Sequence, residues 1–497
     1  MWQAVPYPLD PRFLGRRHLL PTWLQEWPFW MALVIWSFLP SRMTGIWQVF
    51  GLPVRSRELL VILLVCLYGM GFVTRPKTRA ENAGWHRDLP IALGFTLLYA
   101  LLSLAWSNLK AEDAAKMAYP LVSNGASAYL GYMLITKQSG AGTRKFLWRL
   151  TIFMAVVAAV YSAESLFSLG LRSPVAIFTG DGMDRVKGPL FQSSTGYFIL
   201  LPALAFALQE TADGRVPRFL GGAVVFTLLV AILGLGSRAG ILVLSVFLVI
   251  FAFVHGRRPG HLILVAALTA CLVGACLVVF SHATTTRLTK TESDRSYNWA
   301  TSWEIAAGRS LVANLAGSGY GSWWPWYATE MSIEGRDIAK ARLDSRVTRY
   351  GILLYHAHST ILALVIELGL VGFLFAVTLV GTLFRAALRS GHISCFAWGV
   401  AVSTISLLFD LFLFMTPTRD LVWWVYVFGL LRLMPPTRGR LHARTEPCSR
   451  VRLMGPSATA WDVRRRFEDE PRDWESILST PTSPSREPGS VEISSTS

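Results

Sequence analysis

Cysteine is scarce. The five present, Cys66, Cys271, Cys276, Cys395 and Cys448, lie mostly inside apolar blocks and have no metal-type spacing. That excludes a disulfide framework or a zinc site and leaves them as small core residues. Charge is sparse as well, with Asp, Glu, Lys and Arg making up 16% of the chain. The first residues, Met1 to Arg17, lack an apolar core followed by small residues, so no cleavable signal is expected and the first apolar block is read as an anchor. No internal repeat is visible at the level of motifs. A transporter built on inverted repeats would more often show paired, Gly- or Pro-broken spans in its two halves.

What the chain does have is apolar length. Of its 497 residues, 53% are hydrophobic, and they fall in long blocks instead of the broken periodic patterns of a soluble core. A helix needs roughly 20 apolar residues to cross the hydrocarbon, and about twelve blocks approach or exceed that length. The expected spans are 28–39, 58–73, 89–106, 119–136, 146–170, 190–208, 219–236, 239–255, 261–280, 360–384, 394–415 and 421–434. The first is short and stops at Pro40-Ser41-Arg42; it either begins earlier, near Thr22, or is a half-buried segment.

The fold class expected is therefore an all-α polytopic membrane protein. The net charge of +16 needs no nucleic acid to explain it, because basic loops orient a membrane protein and meet anionic headgroups. With an even number of spans, both termini share a side with the connections at 75–88, 137–145, 215–218, 257–258 and 385–392. These hold the clearer basic clusters, among them Arg75, Lys77, Arg79 and Arg87, then Lys137, Arg144 and Lys145. The positive-inside rule makes that side cytoplasmic, although Arg42, Arg55, Arg57, Lys110 and Lys116 on the other side keep the bias modest. The expected organisation is a cytoplasmic segment 1–27, membrane helices 28–280, a periplasmic loop 281–351, membrane helices 352–434 and a cytoplasmic tail 435–497. The tail is rich in Arg, Glu, Ser, Thr and Pro and is expected to be disordered. The long loop carries Trp299, Trp303, Trp323, Trp324 and Trp326 among helix-like runs, which suits an ordered interfacial subdomain.

Three basic positions fall on the outer side in this topology. Arg238 sits in the short turn Gly234-Leu235-Gly236-Ser237-Arg238-Ala239-Gly240, at the membrane boundary. An arginine there is costly unless it meets an anion, a water-filled cavity or the headgroups. Arg295 opens the long loop in Asp294-Arg295-Ser296-Tyr297-Asn298-Trp299. Its planar fork suits bidentate bonds to phosphate, although solvation is the commoner fate of a loop arginine. His358, in Tyr355-His356-Ala357-His358-Ser359-Thr360, directly precedes an expected helix, where a neutral imidazole near arginines can take a proton from a hydroxyl. Residues two apart on a helix face different sides, and no carboxylate or cysteine completes a ligand set, so no metal is expected. Asp410 interrupts an apolar span and reads as a structurally paired group. The rings of Trp299, Trp323 and Trp324 suit either sugar stacking or a membrane-interface belt.

Taken in order, these segments resemble the bacterial O-antigen ligases and related polymerases. The resemblance rests on His358-Ser359-Thr360-Ile361-Leu362 followed by Glu367-Leu368-Gly369-Leu370-Val371-Gly372, and on the Gly-Ser-Arg-Ala-Gly turn at Arg238. Arg295 with Trp299, then Gly317-Ser318-Gly319-Tyr320-Gly321, and the segment from Arg185 to Phe191 add to it. It covers roughly residues 184–384. One departure is Asn314-Leu315-Ala316, which stands where the family's glycine-rich loop usually has a proline upstream.

The resemblance implies a fold like the C-type membrane glycosyltransferases, in the inner membrane of a bacterium. It implies a saccharide donor on undecaprenyl diphosphate and, as acceptor, lipid A-core or a growing polysaccharide. His358 would then be the base, Arg238, Arg295 and Arg185 the diphosphate clamp, and no cofactor or metal would be needed. A transporter or flippase of the same lipid is the alternative class.

Overall fold

The computed structural model of the chain describes residues 22–38, 46–49, 52–55, 61, 63–66, 85–168, 190, 196–235, 237–255, 299–300, 302–304, 306–324, 347–348, 351–352, 359–408 and 417–434. The chain divides into two units, Met1–Thr437 and Arg438–Ser497. The second unit, which holds most of the expected tail, lies outside the described residues, as do the expected span 261–280 and most of 58–73.

The described part is helical. Its helices are α1 (Thr22–Phe38), α2 (Trp85–Ser103), α3 (Ala111–Thr136), α4 (Gly140–Ser168), α5 (Tyr197–Ala212), α6 (Arg218–Gly234), α7 (Arg238–His255), α8 (Leu311–Ala316), α9 (Thr360–Arg389), α10 (Ser394–Ser403) and α11 (Pro417–Leu433). Two short antiparallel ladders, Ile46–Val49 with Leu52–Arg55 and Val347–Thr348 with Gly351–Ile352, were not expected from the hydropathy pattern. Three described helices are long and apolar enough to cross a membrane: Asp88–Trp106, Gly140–Ser165 and Thr360–Arg389. Four shorter apolar helices accompany them, Tyr197–Ala212, Arg218–Gly234, Ala239–Val254 and Ser394–Leu408.

Large apolar side chains point outward along these helices, including Phe95 at 60%, Phe226 at 68% and Phe253 at 77% exposure. Such a surface would drive aggregation in water and is the expected outer surface in lipid. The inner surface is sealed by small residues that allow close approach of helices. A side chain at Gly131 would meet the Trp424 Cβ at 3.2 Å and the Val425 nitrogen at 3.3 Å, so this glycine sets the α3–α11 crossing. Gly399 does the same for α10 against Ala205 of α5.

Polar contacts divide the bundle into two ends. At one end Glu26 accepts from Arg149 at 3.1 Å and Gln138 at 3.3 Å, and Arg432 donates to the Gln138 carbonyl at 3.0 Å. At the same end Glu210 pairs with Arg144 at 3.5 Å and Arg215 at 3.3 Å, and the Cys395 N–H donates to the Gln209 side chain. The start of α1, the α3–α4 and α5–α6 connections, the start of α10 and the end of α11 therefore lie together. This is the co-sidedness expected from the basic loops. By helix direction, the starts of α3, α5, α7 and α9 belong to the opposite end.

Helix lengths depart from hydropathy where the first turn is charged. Helix α3 begins at Ala111, eight residues before the expected 119, because Glu112 and Asp113 sit in its first turn and pair with Lys116. Such a turn suits the positive end of a helix dipole but not the lipid interior.

Candidate functional site

Helix α9 is broken. Gly369 has φ 58° and ψ −135°, a conformation that essentially only glycine adopts. In a continuous helix the carbonyls of Ile366 and Glu367 would receive the N–H groups of residues 370 and 371, which lie beyond the break. Here the glycine-rich loop supplies donors to these oxygens. The Gly319 N–H donates to the Glu367 carbonyl at 2.9 Å, and Arg309 Nη1, the Ser318 hydroxyl and the Ser318 N–H all donate to that of Ile366, at 3.3, 3.3 and 3.4 Å.

The Glu367 side chain makes the second half of the junction. One carboxylate oxygen accepts from the Gly321 N–H at 2.9 Å and the other from the Trp323 and Trp324 N–H groups, both at 3.1 Å. The residue is 2% exposed within an otherwise apolar span. A bare carboxylate there would be very costly, and three convergent backbone donors offset that cost. The loop can present three donors to one carboxylate because Gly317, Gly319 and Gly321 all take positive φ, at 75°, 91° and 74°. At Gly317 a Cβ would also collide with the Glu367 carbonyl and come within 2.6 Å of the Gly369 nitrogen.

The surrounding elements fix the loop from below. Tyr99 of α2 donates its hydroxyl to the Ala316 carbonyl at 2.7 Å, and Ser103 Oγ accepts from the Tyr320 N–H at 2.9 Å. Met117 of α3 lies against Gly321. Where the related family has a proline, Asn314-Leu315-Ala316 forms the last turn of α8. Ser310 caps that helix by accepting from the Ala313 N–H, and Asn314 Nδ2 donates to the Ala306 carbonyl at 2.6 Å.

A small apolar cluster of Trp323, Trp324, Leu362 and Ile366 seals this junction, with Trp299 and Ala306 packed on its edge. The Arg309 guanidinium carbon stands 5.0 Å from the Trp323 ring centroid. Trp323 and Trp324 are only 7% and 1% exposed, so they serve as packing in the junction. Trp299 is half-buried and is the one of the three with ring surface left to offer.

His358, Arg295 and Arg185 lie outside the described residues, as do His356 and Asp410. Their described chain neighbours are informative. Ser359, next to His358 in sequence, is the N-cap of α9: its hydroxyl accepts from the Leu362 N–H at 3.2 Å and donates to the Leu407 carbonyl at 3.4 Å. Trp299, four residues after Arg295, packs on the cluster that Leu362 of α9 helps to build. Ser359 and Trp299 thus both stand close to the first turns of α9.

Arg238 is the first residue of α7, and the preceding Ser237 hydroxyl accepts from the Gly240 N–H at 3.2 Å. Gly240 leaves room for the Tyr197 ring at the start of α5. The start of α7 is thus at the same end of the bundle as the start of α9 and the loop. Among the described residues no three His, Cys, Asp or Glu side chains are grouped to hold a metal ion.

In the sequence Glu367 and Gly369 stand within a motif with no task of their own, and Arg309, Tyr99 and Ser103 belong to no motif. Glu367 could have been found, since a carboxylate inside a span of mean hydropathy 2.5 demands a partner.

Residues 223–377 match the family model described as O-antigen ligase, about a third of the chain. The matched stretch includes Arg238, Arg295, the glycine-rich loop, His358 and the α9 break, and leaves out Arg185. The chain matches no curated protein.

Proposed function

We propose that this membrane protein, a member of the O-antigen ligase and polymerase-like family through residues 223–377, transfers a saccharide from undecaprenyl diphosphate to an acceptor sugar at the periplasmic face of the bacterial inner membrane. The observation that carries the reading is the shared end of the bundle. The start of α7 with Arg238, the Ser359 cap of α9 that follows His358 in sequence, and the tryptophan cluster on which Trp299 packs all lie away from the Glu26 and Glu210 ion pairs.

In the proposed reaction His358 removes the proton from an acceptor hydroxyl. That oxygen attacks the anomeric carbon from the face opposite the diphosphate, so one C–O bond forms as the C–O bond to phosphate breaks and the configuration inverts. The departing diphosphate carries the negative charge to Arg238 and Arg295, with Arg185 as a third partner. Fixed cations in a water-poor site can supply about 3 kcal/mol of transition-state stabilisation each, enough to make a metal unnecessary. Trp299 offers a ring face to a sugar. The acceptor is a hydroxyl of lipid A-core or of a growing polysaccharide, because both ask for the same donor chemistry.

The test is to reconstitute the full chain in vesicles with a labelled undecaprenyl diphosphate-linked saccharide and an acceptor glycan. Free undecaprenyl diphosphate and a labelled acceptor should appear in equal amounts. Movement of intact labelled lipid between leaflets without release of the diphosphate would replace transfer with transport.

A further inference from the structure

We infer that Glu367 is a positioning residue: by clamping the glycine-rich loop onto the broken helix α9, it sets where Trp299 and its cluster stand relative to Ser359, the N-cap of that helix. The inference rests on the proposed transfer for its kinetic consequence but not for the clamp itself. Three backbone N–H groups from Gly321, Trp323 and Trp324 end on this one carboxylate, and its own carbonyl accepts a fourth from Gly319. No other described side chain joins the loop to α9 through so many bonds. The two tryptophans so held form, with Leu362 and Ile366, the cluster on which Trp299 packs. Glu367 therefore fixes the loop to α9 through bonds with defined direction, and through the two tryptophans it fixes the surface on which Trp299 packs.

Direction is what a carboxylate adds over apolar packing. Its two oxygens accept on both sides, Gly321 on one and the tryptophan pair on the other. In Glu367→Gln the amide keeps an acceptor for one side and turns an N–H group towards donors on the other. Glu367→Asp keeps both acceptors but draws them back by one methylene. A misplacement of about 1 Å between a base and a reacting centre can cost roughly a hundredfold in rate.

The experiment compares the full-length wild type with Glu367→Gln and Glu367→Asp in vesicles, by hydrogen exchange and by transfer kinetics. Expected for Glu367→Gln are faster exchange of the 317–324 amides with unchanged protection in α3 and α11, and a kcat lower by about a hundredfold. The KM for the donor should change much less, and Glu367→Asp should recover part of both losses. Should Glu367→Gln fail to accumulate, Glu367→Asp carries the same comparison against wild type. Unchanged 317–324 protection in the variants, or wild-type kcat with the loop deprotected, overturns the inference. A wild type that transfers nothing counts against the proposed function alone, because the exchange measurement still decides the clamp.

Discussion

Substituting Gly369 with alanine should separate the broken-helix account from a reading in which α9 is one continuous span. An alanine there would hold φ 58°, and its Cβ would lie 2.6 Å from both the Asn314 carbonyl oxygen and the Gly317 nitrogen, and closer still to the Leu315 carbonyl oxygen. These are backbone atoms of α8 and the loop, so they cannot turn aside as a side chain could. Backbone strain at such a position costs about 1–3 kcal/mol. If the loop withdraws to make room, the backbone bonds from Ser318 and Gly319 to α9 are lost at about 1 kcal/mol each. The sum is a destabilisation of about 3–5 kcal/mol. Gly381, further along the same helix, has nothing within 4 Å of its notional Cβ. Gly381→Ala should therefore be neutral or gain up to about 1 kcal/mol. Reversible unfolding of the two variants in mixed detergent micelles gives both values. Equal stability for the two would refute the break and the loop seated in it.

Three other perturbations reach different parts of the account. Tyr99→Phe removes the hydroxyl that donates to the Ala316 carbonyl and should lower stability by about 1 kcal/mol in the same unfolding assay, with wild-type stability contradicting the role given to α2. In a background with the native cysteines replaced, single cysteines at Asp213 and Leu311 should be labelled by an impermeant thiol reagent from opposite sides of the membrane, and labelling from one side would undo the two-ended description. Removing the residues after Thr437 should leave transfer intact, because that segment has too little apolar content to build a core; loss of transfer at normal protein levels would show that it does more.

The helices were legible because a membrane segment must carry its own apolar surface and satisfy its backbone within itself, so length and hydropathy locate it. Ends were less legible. The α3 first turn is charged, and hydropathy reports affinity for lipid, not helicity, so a solvated turn with Glu112 and Lys116 falls outside the apolar window. The order of motifs was visible in the sequence, and the structure joins two of them, the glycine-rich loop and the Glu367–Gly372 segment. What no local pattern carries is the break itself. Glycine occurs harmlessly within spans, as Gly381 illustrates, and Gly369 differs only because Gly317 and Leu315 approach it from a loop some fifty residues earlier in the chain. The tryptophans were ambiguous for a related reason: composition cannot separate a ring that faces a sugar from one buried behind a loop, as Trp324 is.

The most direct test of the central claim is a two-part assay on His358→Ala, measuring donor binding and saccharide transfer on the same preparation, with Arg238→Lys and Arg295→Lys alongside. A base needed only in the transition state should leave donor affinity near wild type while transfer is abolished. The lysine variants should restore little activity, because a point charge does not reproduce the guanidinium fork on two phosphate oxygens, and wild-type transfer should persist in the presence of a chelator. A fully active His358→Ala protein whose transfer is lost on chelation would contradict the account and move the search for the base to His356.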